Sequence, residues 1–131
     1  MAGLTYSQAI ISLRPDAVFG VVGNNYDSIV WDDLVQTKPT KVEIDAELIK
    51  ITHEWIIDGI RSRRNELLID SDKYSFTDFP HSSEEKKQGW LTYRQSLRDI
   101  TNNLDTTNIV IYFDTLQEVQ FSNFTWPTIP S

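Results

Sequence analysis

The sequence predicts an α+β fold: an N-terminal short helix and β-hairpin, then a long helix and second helix forming an antiparallel helical hairpin, with an extended C-terminal tail. Two capping-box patterns precede apolar residues at helical spacing. Two β-prone runs flank a turn rich in glycine and asparagine. Residues 109–113 form one more β-prone run, and two prolines close to the C-terminus block a further helix there. We therefore expect residues 103–131 to be an extended or β segment that packs on the domain or on a partner. The predicted regions are residues 1–38, 39–102 and 103–131, within one domain of 131 residues.

A short helix is expected near the N-terminus. Thr5 or Ser7 can cap its first turn, and its apolar residues continue through Leu13. Pro15 ends the helix, because the residue before a proline is pushed out of the α-helical region. The first predicted element is therefore about two turns long.

The β-hairpin is expected next in the chain. Residues 17–22 and 28–31 are β-prone, and the glycine and asparagines at residues 23–27 accept the positive φ of a turn. An isolated hairpin is only marginally stable in water. We therefore expect this hairpin to pack against a helix or a partner.

A long helix is expected from Thr40. Thr40 and Glu43 have the spacing of a capping box, and no strong helix breaker follows until residue 69 apart from Gly59. Such a helix would be about 43 Å long at about 1.5 Å per residue. Its apolar residues form two adjacent stripes, which predict a wide buried face: Ile44, Leu48, Ile51 and Trp55 in one, and Ile49, Ile56, Ile60 and Leu67 in the other.

The second helix is expected to begin at Ser82, which forms a capping-box pattern with Glu85. It would carry an apolar face at i, i+3, i+7 and i+10, formed by Trp90, Tyr93, Leu97 and Ile100. About a dozen polar residues separate it from the long helix, and a loop of that length permits an antiparallel helical hairpin.

The composition argues against several classes of function. The chain has 12 Lys and Arg against 19 Asp and Glu, so its net charge of −7 opposes binding to nucleic acid. It has no cysteine, no apolar run long enough to span a bilayer and no visible export signal. We therefore expect a soluble protein with no nucleic-acid partner and no membrane partner.

No constellation of catalytic or metal-binding residues is recognised. His53 and His81 are the only histidines, and neither lies at helical ligand spacing from another. Residues 70–74 start like a calcium loop, but Ser75 replaces the required glycine and His81 replaces the last glutamate. We expect no catalytic residues, no metal site, no cofactor and no enzyme activity.

The second helix carries the best candidates for binding a partner. Its apolar stripe would face the long helix, leaving Arg94 and Arg98 at the rim, where their forked guanidinium groups suit bidentate pairing with carboxylates. Pairing with carboxylates of the same chain is the alternative for both arginines. Trp126 would either dock on the helical hairpin or bind a partner. The predicted partner-binding residues are Trp90, Tyr93, Arg94, Leu97, Arg98 and Trp126.

Four segments together resemble the bacteriophage tail assembly chaperone-like family. They are RNELLIDSD at residues 64–72, DFP at 78–80, EKKQGWLTYRQSLRDI at 85–100 and TWPTIP at 125–130. The family has an Arg-x-x-Leu-Leu helix end, a helix with Trp-x-x-Tyr-Arg-Gln-x-Leu-Arg-Asp, and a Trp-Pro near its end. The resemblance covers roughly residues 55–130. One departure is that Lys73 and Tyr74 follow Asp72 where the family has a tryptophan directly after the aspartate.

The resemblance implies non-enzymatic work in the morphogenesis of a phage tail or tail fibre, carried out by protein–protein binding. The alternative is a virion structural component, such as an adaptor, baseplate, fibre-associated or decoration protein, that remains in the particle. The implied partner is a phage tail or tail-fibre protein, with a second copy of the chain as the alternative. The implied location is the host cytoplasm during assembly, or the virion tail for the alternative function.

Overall fold

The computed structural model describes residues 4–130, and these residues form a mixed α+β structure. The regular elements, in chain order, are α1 (Tyr6–Leu13), β1 (Phe19–Gly20), β2 (Val30–Trp31), α2 (Lys41–Asp70), α3 (Glu84–Arg98), β3 (Val110–Phe113) and β4 (Val119–Ser122). Short 3₁₀ turns lie at Tyr26–Ser28 and Asp72–Ser75. The α+β class is therefore confirmed.

The described chain divides into two compact units. Unit 1 comprises the residues up to 55 together with 111–120, and unit 2 comprises residues 56–110 together with those from 121 onward. Helix α2 is continuous across the division. The predicted region boundaries at residues 38 and 102 stay predictions.

The core of unit 1 forms around α1. The helix begins after Thr5, whose backbone N–H donates to Gln8 Oε1 at 2.5 Å, so Thr5 rather than Ser7 is the N-cap of the two predicted candidates. Tyr6 and Ile10 are buried with Ala9 of the same helix and Ile44 of α2. The Tyr6 hydroxyl donates to the Asp45 carboxylate, and this bond raises the pKa of the tyrosine.

The predicted β-hairpin is present but shorter than its sequence pattern indicates. Strands β1 and β2 are antiparallel, with Phe19 opposite Trp31, and the two rings stack with their centroids 5.9 Å apart. The residues before β2 form a 3₁₀ turn, in which Ser28 Oγ accepts a hydrogen bond from Val22 N–H at 2.8 Å. Gly23 adopts a φ of 56°, as expected for the turn.

Helix α2 begins where the capping box predicts. Thr40 N–H donates to Glu43 Oε1 at 3.0 Å, and Glu43 N–H donates to Thr40 Oγ1 at 3.1 Å. The helix has 30 residues and is therefore about 45 Å long. We find no helix among residues 4–130 that has the length and apolar character needed to cross a membrane.

The buried face of α2 differs between its two halves. Ile44 is buried in unit 1, whereas Ile56 and Ile60 are buried in unit 2. Ile49 is exposed, so its predicted place on a buried stripe is wrong. Since α-helical residues are spaced by about 100°, Ile49 lies about 140° around the helix from Ile44 and faces away from the core of unit 1.

Strands β3 and β4 form a second two-stranded sheet. The sequence predicts the β-prone run at 109–113 but not its partner strand, β4. Asp114 organises the turn between them, since Oδ1 accepts from Leu116 N–H at 2.9 Å and from Glu118 N–H at 3.0 Å. Residues 124–130 contain neither helix nor strand.

Candidate partner-binding surface

Helix α3 carries five of the six predicted binding residues, and it begins one residue later than predicted. Ser83 is the N-cap, and its Oγ accepts a hydrogen bond from Lys86 N–H at 3.1 Å. The predicted capping box between Ser82 and Glu85 is therefore wrong, because Ser83 has the extended backbone and takes the capping role. Glu84 and Glu85 then occupy the first turn, where negative charge complements the helix dipole.

One side of α3 is buried in unit 2. Tyr93 and Leu97 are buried, and Trp90 is partly buried. Burial raises the pKa of the Tyr93 hydroxyl above its usual range. The spacing of these three residues is that of the predicted apolar stripe, while Ile100 lies beyond the helix end at Arg98.

Trp90 packs against the segment that connects α2 to α3. Its ring stacks on Tyr74, with centroids 3.8 Å apart and planes inclined by 8°, and meets Tyr93 edge to face at 5.7 Å. Phe79 meets Tyr74 edge to face at 4.9 Å. His81 extends this aromatic cluster, and its Nε2 donates to the carbonyl of Tyr74 at 3.0 Å because that oxygen can only accept.

Arg94 is buried, with only 7% of its surface exposed, so its predicted place at an exposed rim is wrong. Its Nη1 donates to the Leu68 carbonyl and to Ser71 Oγ, both at 2.7 Å, and its Nη2 pairs with Asp72 Oδ1 at 2.8 Å. These acceptors lie where α2 ends and the following 3₁₀ turn begins. Arg94 therefore pairs within its own chain, which is the alternative that the sequence left open.

Arg98 is the exposed arginine of α3. Its Nη1 donates to Gln95 Oε1 at 3.2 Å, and its positive charge lies in the last turn, where it complements the helix dipole. Arg64 of α2 approaches the same end, with its Nη1 3.4 Å from the carbonyl oxygens of Leu97 and Arg98. The two arginines of α3 thus have different environments.

Trp126 is partly buried in a small aromatic cluster of the C-terminal segment. It meets Phe124 edge to face at a centroid distance of 5.0 Å and Phe121 at 6.2 Å. Asn123 lies between these phenylalanines in the chain and donates from Nδ2 to the Asn108 carbonyl at 2.9 Å. These contacts anchor the C-terminal segment at residues 121–126, directly before residues 127–130.

An open groove of about 630 Å³ lies between α3 and residues 127–130. On the helix side it is lined by Gln88, Gly89, Thr92, Tyr93 and Ser96, and on the other side by Pro127, Thr128, Ile129 and Pro130. A Cβ atom at Gly89 would be 3.4 Å from Pro130 Cβ. Because Gly89 has no side chain, the helix surface has a shallow depression there, and Pro130 packs against it. The lining side chains are all uncharged.

The sequence predictions include one residue of this groove, Tyr93, and miss the polar residues beside it. Gln88, Thr92 and Ser96 recur at i, i+4 and i+8, which places them along one side of the helix. That spacing is the signal that would have found them. Within residues 4–130, no three His, Asp or Glu side chains are placed to bind one metal ion.

A comparison with protein families finds a match to a described family. The model of a family described as phage tail assembly chaperone protein matches residues 57–131, which is more than half of the chain. No curated protein and no solved structure matches this chain.

Proposed function

Since this chain belongs to the phage tail assembly chaperone protein family, we propose that it binds a segment of a phage tail protein in the groove between α3 and residues 127–130. The observation that carries the proposal is the groove itself, since all its lining residues lie within the part that matches the family. In this proposal the chain acts by binding and performs no catalysis.

The shape and lining of the groove favour an extended protein segment. Its volume is within the range of about 300–1,000 Å³ that ligand sites occupy, but it is open rather than enclosed. Gln88, Thr92 and Ser96 offer hydrogen-bonding groups to a peptide backbone, while Ile129 and Pro130 offer apolar contact. Because the lining is uncharged, recognition here would depend on shape and hydrogen bonds more than on charge.

The six predicted residues have different roles in this proposal. Tyr93 contacts the bound segment, and Arg98 is an exposed charge near the end of the same helix. Trp90 and Leu97 pack α3 against the rest of unit 2. Trp126 packs with Phe121 and Phe124 and so anchors the chain directly before residues 127–130. Arg94 is a positioning residue, which fixes α3 to the end of α2, where we propose that the two helices pair as an antiparallel hairpin.

We propose that binding takes place in the host cytoplasm while the tail or tail fibre is assembled, and that the chain then leaves. A protein with this role shields its partner during assembly and does not need to stay in the particle. The alternative, a component retained in the virion, would use the same groove but remain bound.

Filling the groove should abolish recovery of the tail protein. Thr92 is exposed, so a Thr92→Trp variant should fold and place its indole where the bound segment would lie. Tagged chain recovered from infected cells should carry a tail protein identified by mass spectrometry, and the variant should carry at least about tenfold less.

The matched control is Leu91→Trp, a change of similar size at the neighbouring exposed residue, which does not line the groove. This variant should recover as much tail protein as the unchanged chain. Equal recovery by the Thr92 and Leu91 variants would contradict the proposed site. Recovery of no tail protein by the unchanged chain would contradict the proposed function.

A further inference from the structure

Two adjacent aliphatic side chains in unit 1 are almost completely exposed. Leu34 is 100% exposed and Val35 is 93% exposed, in the loop that follows β2. Single exposed apolar residues are common on protein surfaces and need no explanation. Here two of them are neighbours, and hydrogen bonds anchor the loop that carries them on both sides.

Asp33 fixes the loop from its N-terminal side. Its Oδ1 accepts hydrogen bonds from Val35 N–H at 2.9 Å and Gln36 N–H at 2.7 Å. Its Oδ2 accepts from Val18 N–H at 3.0 Å, which ties the loop to the chain before β1. These backbone hydrogen bonds, that of Gln36 foremost, lower the pKa of Asp33. The carboxylate therefore stays ionised, and keeps accepting these hydrogen bonds, to a lower pH than an ordinary aspartate would.

Gln36 fixes the loop from the other side. Its carbonyl accepts a hydrogen bond from Trp31 Nε1 at 2.9 Å, and its Nε2 donates to the Pro15 carbonyl at 2.8 Å. Arg14 Nε donates to the carbonyl of Thr37, the next residue, at 2.9 Å. With both ends anchored, Leu34 and Val35 are presented to solvent at little further entropic cost on binding.

The charges beside the loop indicate what kind of surface would cover it. Asp16 and Asp32 are exposed, and neither forms an ion pair within residues 4–130. The nearby cations are engaged, since Arg14 lies 3.6 Å from Glu43 and Lys38 lies over the Tyr26 ring. A second copy of the chain would bring the same acidic surface and a net charge of −7. A basic partner surface is therefore the complementary one.

We propose that Leu34 and Val35 form a second docking surface, which inserts into an apolar pocket, edged by Lys or Arg side chains, on the tail protein that binds the groove. This inference rests on the proposed function for the identity of the partner. It adds a contact outside the part of the chain that matches the family. Two contacts on one partner would raise the overall affinity above that of the groove alone.

Site-specific cross-linking in infected cells tests this surface. A photo-cross-linking amino acid would replace Val35, and the control would carry it in place of Val42, which is 79% exposed in the same unit but lies on α2. The chain labelled at residue 35 should form an adduct with the tail protein, at least about tenfold more than the control. A double Leu34→Ser, Val35→Ser variant should bind that purified tail protein at least about tenfold more weakly, whereas Val42→Ser should bind it unchanged.

The outcomes separate this inference from the proposed function. If the unchanged chain recovers a tail protein that Thr92→Trp loses, but residue 35 gives no adduct above the control, only this inference is wrong. An adduct with a second copy of the chain would also overturn it. If the unchanged chain recovers no tail protein, the proposed function and this inference fail together.

Discussion

Arg94→Ala should lower the free energy of unfolding by about 3 kcal/mol. The change removes one cation that is donating to three acceptors: the Leu68 carbonyl, Ser71 Oγ and Asp72 Oδ1. Hydrogen bonds made by a charged group contribute about 1.5–3 kcal/mol, and Ser71, which is itself buried, would be left without this donor. Urea unfolding followed by tryptophan fluorescence would measure the loss.

The effect should depend on the buried acceptors more than on the ion pair. Asp72 is 54% exposed, so water can replace the arginine at its carboxylate, and Asp72→Asn should cost less than about 1 kcal/mol. Arg98→Ala is the matched control, because this exposed arginine lies one turn along the same helix. An Arg94→Ala variant as stable as the Arg98→Ala variant would contradict the positioning role of Arg94.

Leu97→Ala should be similarly costly, with an expected loss of about 3–4 kcal/mol in the free energy of unfolding. Leu97 is fully buried in unit 2, so the change removes apolar contact and leaves a cavity beneath α3. The control is Leu91→Ala, an exposed leucine on the same helix, for which the expected change is within about 0.5 kcal/mol. A small effect at Leu97 would mean that α3 is not packed as described.

The sequence contains enough information for the fold class and for the starts of α1 and α2, whereas the start of α3 was predicted one residue too early. Thr5 and Thr40 cap α1 and α2 as predicted, because an N-cap hydrogen bond needs only residues three positions apart. Strand β4 was missed for two reasons. The strand has only four residues, and the positive φ in the turn before it is at Gln117 rather than at a glycine or asparagine, the residues that usually mark such a turn.

The candidate site was less predictable, because it depends on contacts between residues distant in sequence. Arg94 and Arg98 are one turn apart and look equivalent in the sequence, but only Arg94 reaches the acceptors at the end of α2. The groove requires residues 127–130 to lie beside α3. Neither the pairing of Arg94 nor the position of this segment follows from periodicity.

The amount of this chain in purified particles, compared with the amount bound to a tail protein in infected-cell extracts, tests the proposed role most directly. Quantitative mass spectrometry of both samples would measure it. An assembly chaperone should be found bound to the tail protein in extracts and be absent from complete particles. A fixed number of copies in every particle would contradict this role and identify the chain as a component of the virion.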